Sequence, residues 1–225
     1  VTVVGGGLAG AIAALSAARH REVGVRLLTA DETSLEAASG LIDVLGYVPD
    51  GEEPVTDPFA AVSDLPAEHP YSTVGVDAVR EGLALFDDVA GEQYAGGDTD
   101  RNALVPTHLG NLKPTSRYPV TVAPGVASRE QRTTLVGFEE LTDLDAALAA
   151  DRLDRTLPYE VWGTAVGLPV ELEGVPETTD LAFELDTAHG RGRAREVFER
   201  LHDDLSRDIL MHDGTDRRIG VPAVG

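Results

Sequence analysis

Gly5-Gly6-Gly7-Leu8-Ala9-Gly10 follows the pattern G-x-G-x-x-G. Before it, Val1–Val4 reads as a short buried strand. After it, Leu8–His20 is rich in alanine, with Leu8, Ile12 and Leu15 at helical spacing. In that context each glycine has a physical task. Gly5 lets the chain turn sharply out of the strand, Gly7 lets backbone approach a pyrophosphate, and Gly10 lets helix and strand pack closely. The first helical amides, at Leu8, Ala9 and Gly10, then face the anion. The chemistry this pattern offers is the grip of a dinucleotide.

A second strand, Val23–Thr29, completes a β-turn-α-β unit. An acid at its end would bond a ribose hydroxyl. Thr29 stands there instead, with Asp31 just beyond, so either Asp31 slides into the role or Thr29 bonds the ribose more weakly. This displaced acid argues against an ordinary NAD dehydrogenase. There is no cysteine, so thiolate metal sites, iron–sulfur ligation and a cysteine nucleophile are excluded within these residues. No metal site is expected.

Removing a hydroxyl proton from a substrate needs a base, and six histidines are available. His20 suits the negative end of the first helix. His69, before Pro70, either serves a site or fixes a turn. His189, His202 and His212 fall on or near later helices. His108 lies in the irregular middle of the chain and is the candidate catalytic residue. A phosphate would need a cation. Lys113 and Arg117, in the run HLGNLKPTSR, either line a phosphate pocket or belong to a solvated loop.

Several motifs, in order and spacing, decide among functional readings. They are GGGLAG, a strand ending in threonine, Ser39-Gly40, Pro49-Asp50-Gly51, Pro54-Val55-Thr56-Asp57 and Glu68-His69-Pro70-Tyr71-Ser72. Pro106-Thr107-His108-Leu109-Gly110 follows, and the likeness continues more weakly to Val221-Pro222-Ala223. Together they resemble the B subunit of the anaerobic, quinone-linked glycerol-3-phosphate dehydrogenase. The resemblance implies a flavoprotein that oxidises sn-glycerol 3-phosphate to dihydroxyacetone phosphate, with electrons passed on to a quinone. It implies the A and C subunits of that complex as partners, with the C subunit carrying iron–sulfur clusters and the membrane attachment. It places the protein in the cytoplasm, peripheral to the membrane and without insertion of its own. The glycine pattern favours FAD, whose pyrophosphate it fits, with FMN as the alternative. Ser39 and Gly40 either pass beside the flavin ring or simply break a helix. The rival readings are a non-catalytic scaffold within that complex and a fumarate-reductase-like flavin oxidoreductase.

These residues must be held by an α/β fold. The expectation is a Rossmann-like FAD/NAD(P)-binding domain over residues 1–118 and a second, smaller α/β domain over 119–225. The whole is expected to be C-terminally truncated, because the family it resembles is longer. Its elements are a short helix within Phe59–Leu65, a helix over Val74–Val89 and a strand edge at Thr121–Pro124. Then come a strand at Thr133–Phe138, a helix at Leu141–Leu153, a strand at Tyr159–Leu168, helices at Thr179–Thr187 and Arg193–Leu205, and a last buried strand at Arg218–Val224. The first residue is not methionine, which suggests a processed start.

Charge says less about ligands. Acids number 39 against 18 bases, for a net charge of -21, and Lys113 is the one lysine. Such a field repels nucleic acid and anionic membranes. The acids are scattered along the chain, and arginine replaces nearly all lysine. That pattern fits a salt-rich cytoplasm, where screening removes self-repulsion, and so a halophilic, haloarchaeal source.

Overall fold

A computed structural model describes residues 1–30, 33–35, 38–168, 174–186, 195, 199, 202–203 and 218–221. The chain divides into two compact units. One is Val1–Ala103 with Pro114–Pro124, and the other is Leu104–Lys113 with Gly125–Gly225. The division thus lies after Pro124 rather than after residue 118, and a ten-residue excursion belongs to the second unit.

The first unit opens with β1 (Thr2–Val4), α1 (Leu8–Ala18) and β2 (Arg26–Leu28). The strands run parallel, with Thr2 opposite Arg26 and Val4 opposite Leu28. The burial expected of β1 is not observed: Val4 is 79% exposed, and Leu28 of β2 is 48% exposed. The physical reason is the size of the layer, since a two-stranded sheet with one helix cannot cover both faces.

The core of this unit lies elsewhere. Val44, Leu45, Phe59, Val62, Leu65 and Leu83 pack together, with Val76 and Val79 against them. Asp57 accepts the amides of Phe59 and Ala60 and so starts the 3-10 turn Ala60–Asp64. The expected helix over Val74–Val89 is α3 (Val76–Ala90), preceded by a separate short helix, α2 (Pro70–Val74). Gly75, at φ +82°, makes the break between them. His69 starts α2, its Nδ1 accepting the Tyr71 amide at 3.1 Å, with Pro70 at the first helical position.

Four short strands follow: β3 (Tyr94–Ala95), β4 (Ala103–Pro106), β5 (Leu112–Thr115) and β6 (Tyr118–Pro119). β3 pairs antiparallel with β6, and β4 pairs with β5. Thr121–Pro124 is not a strand edge. The Val122 amide donates back to the Pro119 carbonyl, and the chain turns into a 3-10 helix at Ala123–Gly125.

The second unit contains β7 (Thr133–Phe138), α4 (Ala146–Thr156), β8 (Val161–Val166), α5 (Thr178–Asp186) and β9 (Arg218–Gly220). The strands form one parallel sheet in the order β8-β7-β9. β7 is central, with Val136 and Phe138 almost fully buried. Ala150 and Leu153 of α4 pack with Val161, Leu112 and Leu135. α4 begins five residues later than expected, because the Asp145 side chain accepts the Leu148 amide and sets the first turn there. β9, expected to be buried, pairs only with β7 among the described residues, and Ile219 is 45% exposed. Most of the expected Arg193–Leu205 helix lies outside the described residues, as do Pro222–Gly225; Arg195, Glu199, His202 and Asp203 are helical.

Candidate cofactor-binding site

The end of β1 is fixed to β2 by a bond from the Gly5 amide to the Leu28 carbonyl, 2.8 Å. Gly5 then adopts φ +123°, which side-chain-bearing residues rarely enter. A Cβ on Gly10 would run into the Gly5 carbonyl, so only glycine allows α1 to lie this close to the strand. Gly7 occupies the N-cap position of α1 with extended backbone and provides no side-chain cap. The first turn carries no acid. With no side-chain cap among the described residues, the amides of Leu8, Ala9 and Gly10 can meet an outside anion. The geometry of the three glycines and the residues around them fit FAD.

The segment after β2 closes over this turn. A Cβ on Gly6 would overlap the Thr29 hydroxyl. A Cβ on Gly7 would lie 2.6 Å from Ser34 Oγ. Thr29 donates to the Ala30 carbonyl at 2.9 Å, so it sits beside the turn with its proton already placed. Asp31 lies outside the described residues. Sequence reasoning does not single out Ser34, whose hydroxyl lies beside the turn. The available signal is a run of hydroxyl residues, Thr29, Thr33 and Ser34, directly after the second strand.

Ser39 and Gly40 form a tight turn, in which Ser39 Oγ accepts the Leu41 amide and Gly40 takes φ +72°. A Cβ on Gly40 would press on Pro119 and on the Tyr94 hydroxyl. Ile42 bridges antiparallel to Arg117, which anchors this turn to the unit.

Arg117, read as lining a phosphate pocket or lying on a solvated loop, is held inside the first unit. It is 6% exposed. Nε and Nη2 donate to the two oxygens of Asp87 at 2.7 and 2.9 Å, and Nη1 donates to the carbonyls of Gly96 and Ser116. A buried guanidinium must be paired and hydrogen-bonded in this way, and its donors are committed to holding the first unit together.

His108 and Lys113 belong to the second unit. The Thr107–Asn111 loop is closed by the Gly110 amide donating to Thr107 O, 2.9 Å, and by Thr107 N to Asn111 O, 2.8 Å. Gly110, at φ +77°, lies against the Ala149 backbone, and Arg152 of α4 donates to the Leu109 carbonyl. His108 is exposed on this docked loop. Nearby, partial burial works to raise the Asp143 pKa. Bonds from the hydroxyl and amide of Thr178, with the charge of His108, outweigh it and hold that carboxyl below its ordinary value. Lys113 is half-buried on β5. His108 and Lys113 thus fall in the second unit and Arg117 in the first.

His20 follows the end of α1, and its amide donates to Ala17 O. His189 and His212 lie outside the described residues. Among those described, no group of three or more histidine or acidic residues is placed to hold a metal ion. No helix among them is long and apolar enough to cross a membrane.

A family described as FAD binding domain matches residues 1–220. The chain belongs to this FAD-binding family. Membership accords with the Rossmann-like α/β fold and with FAD as the cofactor suggested by the glycine turn. Among its relatives, a probable B subunit of anaerobic glycerol-3-phosphate dehydrogenase from Halobacterium salinarum is 49% identical over 187 residues, covering 83% of this chain and 43% of the relative. The B subunits of anaerobic glycerol-3-phosphate dehydrogenase from Vibrio cholerae and Pasteurella multocida are 36% and 30% identical. Each alignment covers 68% of this chain, and 36% and 37% of the relative respectively. The chain thus spans less than half the length of the named relatives it matches. No solved structure matches it.

Proposed function

We propose that this chain is the FAD-bearing part of the B subunit of an anaerobic glycerol-3-phosphate dehydrogenase. The observation that carries the reading is a glycine turn built for a pyrophosphate, in a chain 49% identical over 187 residues to a halobacterial protein of that name. The overall reaction takes two electrons and two protons from sn-glycerol 3-phosphate, giving dihydroxyacetone phosphate, and the electrons pass towards a quinone. Bound FAD supplies the two-electron acceptor. The chain's own contribution is to hold that group by the glycine turn and the Ser39-Gly40 segment.

Within this reading His108 is the candidate proton acceptor and Lys113 a candidate phosphate contact. The A and C subunits complete the complex, which sits on the cytoplasmic face of the membrane through a partner. The excess of acids, with a single lysine, supports a halophile.

The test uses the full-length protein purified in high salt. Its flavin is released and identified, and glycerol 3-phosphate is added with and without the A subunit. FAD that bleaches on substrate addition supports the proposal. A protein that takes up no flavin overturns it and favours a scaffold built on a nucleotide fold. A His108→Ala variant that reduces its flavin at the wild-type rate removes His108 from the chemistry.

A further inference from the structure

Among the described residues, the β1–α1–β2 unit places no arginine or lysine at the glycine end, where a doubly charged pyrophosphate would sit. Its arginines lie at the other end: Arg19 at the C-cap of α1, Arg21 just after it, and Arg26 at the start of β2. Arg19 is also engaged by Asp88 at 2.8 Å. Within this unit, the charge at the glycine end is therefore met by hydrogen bonds.

The helical amides provide part of this. Of the three hydroxyls after β2, two have backbone partners. Thr29 donates to Ala30 O, and Thr33 Oγ1 accepts the Leu35 amide at 3.3 Å. Thr33 also turns its methyl group, not its oxygen, towards Gly6. Ser34 is different. Its Oγ is 2.6 Å from the Cβ position of Gly7, while its own Cβ is 3.9 Å away, so the hydroxyl points into the turn. Ser34 is exposed and has room to reorient.

We propose that the Ser34 hydroxyl is a cofactor-binding group that donates to the FAD pyrophosphate across the glycine turn, opposite the amides of α1. This inference rests on the reading of the glycine turn as the FAD site. A hydroxyl suits the position, because it can donate to a phosphate oxygen. A hydrogen bond to a charged group is among the stronger ones.

The experiment strips flavin from the full-length protein in high salt and titrates FAD by flavin fluorescence, with ADP as a competing probe that carries the pyrophosphate without the flavin ring. Ser34→Ala should weaken FAD and ADP alike, by about tenfold, and Ser34→Thr, which keeps the hydroxyl, should stay within about twofold of wild type. The exposed position predicts an unchanged Tm for both. If Ser34→Ala binds FAD as wild type does while Gly7→Val loses it, Ser34 is a bystander and the proposal fails. If Ser34→Ala weakens FAD but not ADP, the hydroxyl serves the flavin half and the pyrophosphate assignment is wrong. If the wild-type protein and Gly7→Val bind FAD equally, the glycine turn is not the site and the underlying reading falls with it.

Discussion

The chain contains two strand–helix–strand units of the same parallel plan, and they treat their helix starts in opposite ways. In β1–α1–β2 the N-cap position is Gly7, which offers no side chain to the first-turn amides. In β7–α4–β8 it is Asp145, whose carboxylate accepts the Leu148 amide at 2.9 Å. The first helix leaves its positive end for a visitor, and the second neutralises its own. Glycines are also placed differently. Gly10 sits on the helix, against the Gly5 carbonyl, whereas Gly163 sits on β8, where a Cβ would strike the Ala146 carbonyl. Close approach of helix and strand is reached in both, but only the first arrangement opens the turn. One topology thus becomes a binding site or a packing unit according to which residue occupies the cap.

This contrast can be broken by exchanging caps. Gly7→Asp would give α1 a carboxylate like that of α4 and put a negative charge where the pyrophosphate belongs. FAD affinity should fall by at least about a hundredfold, read by flavin fluorescence titration, because like charges at contact cost several kcal/mol. Wild-type affinity in that variant would show that the helix amides do not hold the cofactor.

The next effect is on packing. Gly163→Val forces side-chain atoms against the α4 backbone and should cost about 3 kcal/mol, measured by denaturant unfolding in high salt. Asp145→Ala should cost about 1 kcal/mol in the same measurement. A loss well under that figure would mean that the second helix, like the first, tolerates an open end.

The smallest effect concerns acid. The Asp143 pKa is depressed in the folded protein relative to its ordinary 3.8. Its stabilising contribution is therefore complete above that value and is lost as pH falls through the lower, folded value. Thr178→Val, which removes the hydroxyl bond, should flatten this acid limb of the stability profile. An unchanged limb would assign the acid sensitivity to other carboxylates.

Legibility in sequence follows burial and periodicity. β7, TTLVGF, is a β-prone run and is readable to its ends, and the 3.6-residue stripe of Val76, Val79 and Leu83 marks α3. The apolar run of β1 looks the same, yet its strand is exposed, because periodicity reports a preference and not the presence of a covering layer. The glycine turn is legible because each glycine answers a local backbone demand. Arg117 is not, since its partner Asp87 lies 30 positions away and nothing local distinguishes a buried guanidinium from a phosphate ligand. Ser34 escapes for a similar reason: its relation to Gly7 arises only when β2 pairs with β1 and brings the following loop over the turn.

Asn102 has a consequence for the order of events in folding. Its side-chain amide donates to the carbonyls of Leu45 and Val55, 57 and 47 positions back, while its oxygen accepts the Ser116 hydroxyl. One side chain thereby ties the neck of a long ring of chain, and a tie of that span forms only after the entropy of closing the ring has been overcome. Refolding of the first unit should thus be slow compared with helix formation. The Ile42 and Ser116 amides, bonded across the same neck, should gain protection from hydrogen exchange together and late.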